Sequence, residues 1–391
     1  MSTAPAALAA NPPIKDHLAR VFAQYPLEVV SAEGVWLFGR KGERVLDLYG
    51  GHAVAALGYG HPGWTRALVD QARACQFQTN AVAMEVRVRA AARLVRFAGL
   101  GLDTVFLVST GAEANENALK MAFRLTGRAH VAALEHGFHG RTAAAGAVTW
   151  GAAKKWYGFP RTPFDVSFMS RRDIDAIAEH VTERTAAVIV EPIQGLGGAF
   201  DLRAGYLQAL RSRCDETGAL LIFDEVQSGM GRTGHPFAAN LYGVLPDMVT
   251  TAKALGNGFP CAALLMSPRV AAGLQLDLLG TTFGAGPLAC AAIEAVIEAI
   301  ESERLLERVR RVSGYLRSRC IVGPITGHQG AGWLTGLLTR RPAREVQAEL
   351  LARGILTGTA SDPQVLRILA PFILEEPHVD LLCDALAALP A

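Results

Sequence analysis

Two residues in this 391-residue sequence stand out for chemistry, a lysine and an aspartate, each placed just after a short apolar run. Lys253 lies in Thr250–Pro260 (TTAKALGNGFP), with no other charge beside it. Burial of such a lysine lowers its pKa and suits attack on a carbonyl. A lone lysine also reads as a surface charge. Asp224 and Glu225 end Leu220–Gln227 (LLIFDEVQ). Such a pair suits a metal site, an acid/base pair or solvated strand-end charges, and taken alone the solvated reading is preferred. Ser109–Ala114 (STGAEA) offers hydroxyls and free N–H groups to a phosphate at a helix start. It equally forms an ordinary cap, with Glu113 completing a capping box. Gly280–Pro287 (GTTFGAGP) fits a phosphate or a tight turn, and Phe138 in Phe138-His139-Gly140-Arg141 fits a ring cover or the core.

The elements that must position these residues are short and regular. Strand-like runs occur at Val105–Val108, Val131–Leu134, Ala187–Val190, Leu220–Phe223 and Met248–Thr250. They are apolar on both faces and separated by helical stretches at 64–76, 83–97, 113–125, 204–216 and 287–310. That is the pattern of a mostly parallel sheet between helix layers, an α/β fold. Ligands in such sheets bind beyond the carboxyl ends of the strands, where several of the candidate residues fall. Residues 35–48 (VWLFGRKGERVLDL) read as a hairpin, and the chain after about 310 as strand, helix, strand, strand, helix. The expected division is an N-terminal segment (1–55) joining a small C-terminal α+β domain (296–391), and a large domain (56–295).

Composition narrows the classes. Half of the residues are hydrophobic and 19% are charged, with a net charge of +2. This is a globular chain with no charge-based reason to bind nucleic acid. The cysteines at 75, 214, 261, 290, 320 and 383 show no metal spacing and read as reduced, buried residues. No apolar run approaches the ~20 residues of a membrane span, so a soluble cytoplasmic protein is expected.

Together the candidates supply a Schiff-base lysine, an acid for a pyridine nitrogen, two phosphate turns and a stacking aromatic. That inventory is what pyridoxal 5′-phosphate (PLP) demands.

Six motifs then carry a resemblance: STGAEANENALK (109–120), FHGRT (138–142), VEPIQG (190–195), FDEVQSGMGRTG (223–234), TTAKALGNGFP (250–260) and GTTF (280–283) with PLA (287–289). The chain resembles the class III (subgroup II) PLP-dependent aminotransferases, most nearly their acetylornithine/ornithine branch, from about Val35 to the last helix. The resemblance implies fold-type I. It implies that Lys253 bears the cofactor and shuttles the substrate proton, and that Asp224 pairs with the pyridine nitrogen. Val226 and Phe138 would cover the two ring faces, and Gln227 would contact the phenolic oxygen. Thr110, Gly111 and Ala112 would hold the phosphate, joined by Thr282 of a neighbouring subunit, so a homodimer with shared sites is implied. Arg141 would grip the donor α-carboxylate and Arg367 that of glutamate or 2-oxoglutarate. The expected reaction is ping-pong transfer from an amino donor to a 2-oxo acid. The donor stays open among N-acetylornithine, succinylornithine, ornithine, 4-aminobutyrate, β-amino acids and α-amino acids, and a PLP aminomutase of the glutamate-semialdehyde type is a rival.

The chain also departs from that pattern. Leu196 follows EPIQG where the relatives carry a glutamate that neutralises the second arginine. Arg367 should then stay unmasked. Either the enzyme prefers a carboxylate near the reacting amine, or another acid serves Arg367. Gly286 replaces an asparagine in the phosphate turn, and His52 enters a segment that lines the substrate entrance, making it a candidate substrate contact.

Overall fold

The structure, a computed structural model, describes residues 17–390. Strands β1 (Val29–Glu33), β2 (Trp36–Gly39) and β3 (Arg44–Asp47) form an antiparallel meander that contains the expected hairpin. There follow β4 (Thr104–Val108), β5 (His130–Leu134), β6 (Asp165–Met169), β7 (Thr185–Val190) and a short antiparallel pair, β8 (Ile193–Gln194) with β9 (Phe200–Asp201). Then come β10 (Leu220–Asp224), β11 (Met248–Thr251) and β12 (Ala262–Met266). Seven of these strands make the central sheet in the order β4-β12-β11-β10-β7-β5-β6. Only β12 runs against its neighbours, so the sheet is mostly parallel.

The two-faced burial expected of these strands is present. Val188 and Val190 of β7 and Leu221 and Phe223 of β10 face the layer that holds helices Glu85–Ala98, Arg203–Thr217 and Pro287–Ser302. The alternate residues Ala187, Ile189, Leu220 and Ile222 face helix Gly111–Thr126. Each large apolar side chain so buried contributes about 1.5–3 kcal/mol, which is why a one-residue slip of register would be costly.

One expected helix is two. The stretch 287–310 breaks at Arg304, whose φ is +53°, and a second helix runs Leu305–Arg319. Neither Gly nor Pro marks the break. The kink instead turns Leu305 and Val309 into the core.

Beyond it, the first expected strand is a hairpin, β13 (Ile325–Ala331) and β14 (Leu334–Thr339), turned by Gly330 and Gly332 at positive φ. Helix Ala343–Ala352, β15 (Ile355–Leu356), β16 (Gly358–Thr359), β17 (Val365–Ile368) and helix Glu376–Ala387 complete the chain. Strands β13-β14-β17-β16 form one sheet, and β15 pairs in parallel with β3. The N-terminal meander and the C-terminal chain therefore share hydrogen bonds. Among the described residues no helix is long and apolar enough to cross a membrane.

Candidate active site

The carboxyl ends of β4, β5, β7, β10 and β11 open onto one cavity of about 630 Å³. Its wall includes Thr110, Gly111, Ala112, Phe138, Arg141, Asp224, Val226, Gln227, Lys253 and His52. Two expected residues are elsewhere. Arg367 stands behind Gln227, and Thr282 is exposed on the surface, outside this cavity.

Asp224 ends β10 with 3% of its surface exposed. Oδ2 accepts from Asn115 Nδ2 and from His139 Nδ1, each at 2.8 Å. Oδ1 accepts the Val226 N–H at 3.1 Å. Asn115 lies one helical turn beyond Gly111, on the same face, and its Oδ1 takes the Thr250 hydroxyl at 2.6 Å. The aspartate is thus a clamped acceptor at the cavity wall, and the solvated strand-end reading is wrong for it. It is wrong for Glu225 as well. That carboxylate is fully buried and caps helix Ala238–Tyr242, accepting the N–H groups of Ala238 and Ala239 and the Ser228 hydroxyl. Burial raises its pKa to about 7. Two adjacent acids have separate roles because alternate side chains of an extended chain point opposite ways.

Lys253 opens a short 3₁₀ turn after β11 with φ +50°, a strained value for a side-chain-bearing residue. Burial pulls its amine pKa below the usual value and Arg367 adds to this, while Asp224 and Glu191 oppose it. A depressed amine is the form that attacks a carbonyl.

The Ser109–Ala114 turn caps its helix. Thr110 Oγ1 accepts the Glu113 N–H at 3.2 Å, and Glu113 Oε2 reaches back past the cap residue to accept the Ser109 N–H at 2.9 Å, so the expected capping box is not formed with Thr110's own N–H. Gly111 and Ala112, whose first-turn amides an α-helix cannot pair internally, line the cavity. A Cβ at Gly111 would lie 2.8 Å from Val226 Cγ2, so only glycine lets the turn approach that wall. Gly280–Pro287 is a tight turn, with the Gly284 N–H donated to Thr281 Oγ1 at 3.2 Å.

Charged and titratable groups lie at the rim of the cavity and behind its wall. Arg141 is exposed at the rim, its guanidinium carbon 4.8 Å from the centre of the Trp156 ring. Arg367 is 1% exposed in β17, cross-strand from Gly336 and Gly358. It donates to Thr359 O at 2.7 Å, Gly195 O at 3.2 Å and Gln227 Oε1 at 3.5 Å. It makes no ion pair among the described residues, and no acid replaces the missing glutamate by direct contact. Leu196 lines the cavity nearby. His52 sits in a left-handed turn with φ +64°, its ring 4.6 Å from that of Tyr49. Its carbonyl accepts from Gln227 Nε2 at 3.3 Å. Desolvation, with Arg367 and Lys253 nearby, pulls its pKa down to about 4, so the imidazole is neutral at pH 7.

The sequence profile of the class-III aminotransferases matches residues 18–389. The chain is a class-III aminotransferase. An acetylornithine aminotransferase of Streptomyces coelicolor is 42% identical over 365 residues, spanning 92% of this chain and 90% of that protein. One from Methanocaldococcus jannaschii is 34% identical over 386 residues, 95% of each. Among solved structures, an ornithine aminotransferase of Toxoplasma gondii superposes with a TM-score of 0.89 at 27% identity, covering 95% of this chain and 91% of that one. Another structure of that enzyme, with a TM-score of 0.88 at 27% identity and covering 95% of this chain and 92% of that one, is described with partial occupancy of PLP at its active site.

This aminotransferase has three cavity residues that its sequence did not single out. Asn115 and His139 hold Asp224, and Glu191 lies directly after β7 with 6% exposure. Each was inside a quoted motif. The available signal for Glu191 was its position, a charged residue directly after a strand buried along its whole length.

Proposed function

We propose that this aminotransferase carries PLP on Lys253 and moves the amino group of an ω-amino acid such as N-acetylornithine to 2-oxoglutarate. The observation that carries the reading is the Asp224 carboxylate, clamped by His139 and Asn115 in the wall of the cavity that holds Lys253. The residues fit the cofactor: a charged acceptor for a ring nitrogen, free first-turn amides for a phosphate, and a glycine where any side chain would close the gap. PLP supplies an electron sink for the pair left when the substrate loses its proton. Asp224 would hold the proton on the ring nitrogen, and Val226 and Phe138 would cover the ring faces. Gln227 would meet the phenolic oxygen. Gly111 and Ala112, with Thr110, would hold the phosphate. Lys253 Nζ, displaced by the donor amine, would take the proton from the substrate Cα and return it to the cofactor carbon.

Thr282 would complete the phosphate site of a second copy. Next to it Phe283 is 70% exposed, its ring tilted against that of the exposed Phe77 at 5.5 Å. Such an apolar surface favours a homodimer with shared sites.

Donor choice follows from the mouth. It is lined by Phe22, His52, Val54, Leu196 and Phe259, with Arg141 as its cation. Arg141 suits the donor α-carboxylate, His52 is neutral, and no acid among these lining residues offers to pair with a free α-ammonium. An acylated α-amine fits better than ornithine. A second reading has its own support: Arg367, without an acid, favours donors with a carboxylate near the reacting amine. A donor panel against 2-oxoglutarate, followed at the cofactor absorbance, tests both. N-acetylornithine should exceed ornithine at least tenfold in kcat/KM, and Lys253→Ala should abolish turnover. Glutamate-like donors outrunning N-acetylornithine would favour the second reading. Turnover without any 2-oxo acid would replace both with an aminomutase.

A further inference from the structure

Glu191 is the most buried acid in the cavity wall without a role in the reaction described so far. Its carboxylate spans two loops. Oε1 accepts the N–H of Phe138 and Oε2 the N–H of Gly195, both at 2.9 Å. Gly195 in turn presents its carbonyl to Arg367 NH1 at 3.2 Å. Space is tight here: a Cβ at Gly195 would lie 1.6 Å from Gln227 Oε1, and Gln227 is itself a partner of Arg367. A chain of contacts therefore runs from the ring-covering loop, through one carboxylate and one glycine, to the buried guanidinium.

We infer that Glu191 is a positioning residue for the 2-oxo acid: by fixing Gly195 it sets where Arg367 presents its fork to the acceptor's carboxylate. This rests on the proposed assignment of Arg367 to the acceptor. The charges around Glu191 agree with it. Arg367 carries no direct acid partner among the described residues: its Nε and NH1 donate to the Thr359 and Gly195 carbonyls and to Gln227, and Glu191, behind Gly195, is an acid whose charge acts on it. A contacting acid would occupy those donors. A carboxylate one residue removed steadies the cation without taking any of its N–H groups.

Glu191→Gln is the informative change. A glutamine keeps one acceptor and turns its NH₂ toward the other amide, so one hydrogen bond becomes a clash. The Gly195 side should yield. It lies in a stretch with Gly197 and Gly198, held through its carbonyl by the longer bonds from Gly198 N–H at 3.2 Å and Ala199 N–H at 3.3 Å, whereas the Phe138 side is pinned by Gly137 N–H to Leu134 O at 3.1 Å and by His139 N–H to Thr149 Oγ1 at 2.9 Å. The two half-reactions of the holoenzyme are run separately by stopped flow, and glutarate, a dicarboxylate that cannot react, is titrated calorimetrically. Binding of 2-oxoglutarate and of glutarate should weaken at least tenfold, with the donor half-reaction within threefold of wild type. Equal losses in both halves, or unchanged glutarate binding, would overturn the inference. Glu191→Asp, which keeps the charge but reaches only one amide, should give the same one-sided loss to a smaller degree. It decides the matter if the glutamine variant does not fold. Arg367→Leu is the control. If it spares glutarate binding, the assignment of Arg367 is what fails, and that outcome is separable from any result at Glu191.

Discussion

His139 Nδ1 lies 2.8 Å from Asp224 Oδ2, and neither side chain is open to solvent. With the Asn115 amide on the same oxygen, this leaves the aspartate little freedom to rotate or to be rehydrated. A carboxylate held this way keeps its charge aimed at one point, which is the geometry an acceptor needs if it is to hold a proton on a ring nitrogen through a reaction cycle.

Replacing Asp224 by Asn should lower kcat by roughly 10²-fold or more, the scale of losing one preorganised electrostatic partner. His139→Ala should cost less, about tenfold, because Asn115 and the Val226 N–H still hold the carboxylate. Steady-state kcat with a saturating donor measures both. Equal losses would mean that His139 touches the chemistry itself.

Much of this frame is legible in the amino-acid sequence. Short apolar runs buried on both faces can only be inner strands of a covered sheet, and that places the residues after them at one edge. Asp224 and Lys253 follow from this rule. What was not legible depends on distance in space. Nothing local separates Asp224 from Glu225, yet one faces the cavity and the other caps a helix. The break at Arg304 carries no glycine or proline. The link from Glu191 to Arg367 joins residues 176 positions apart through a single glycine.

Leu196→Glu would set a carboxylate in the cavity wall beside the Gly195 carbonyl that Arg367 already contacts. An ion pair there would mask the guanidinium, and ligands with a carboxylate would have to displace it. The KM for 2-oxoglutarate should rise about tenfold, equivalent to ~1.4 kcal/mol. Donors with no carboxylate near the reacting amine should gain in relative efficiency. An unchanged acceptor KM would remove Arg367 from the acceptor site.

Arg141 rests its guanidinium on the Trp156 ring at 4.8 Å. The stack holds an exposed arginine at the rim, and among the described residues no ion pair ties up its fork. Arg141→Lys removes the planar bidentate donor and should raise the donor KM roughly tenfold. Trp156→Ala removes only the support, worth ~0.5–1 kcal/mol at an exposed site, and should raise the same KM about two- to fivefold. In both variants kcat and the acceptor KM should hold. A drop in kcat with Trp156→Ala would show that the tryptophan does more than seat the arginine.

Glu225 makes a prediction about stability that is independent of the substrate. Burial raises its pKa to about 7 in the folded protein, from an ordinary value near 4.5. The folded state therefore binds this proton more tightly than the unfolded chain. Its contribution is largest below the unfolded pKa and is lost as pH rises through 7. Between pH 6 and pH 8 the loss from this one group is about 1 kcal/mol. Glu225→Gln cannot titrate. Its cofactor-free unfolding free energy, from denaturant melts, should fall less between pH 6 and pH 8 than that of wild type, by about that amount. Glu191, also raised to about 7, is present in both proteins and drops out of the difference. Identical pH slopes would mean that Glu225 is already ionised at pH 6, its charge carried by the two helix amides and the Ser228 hydroxyl.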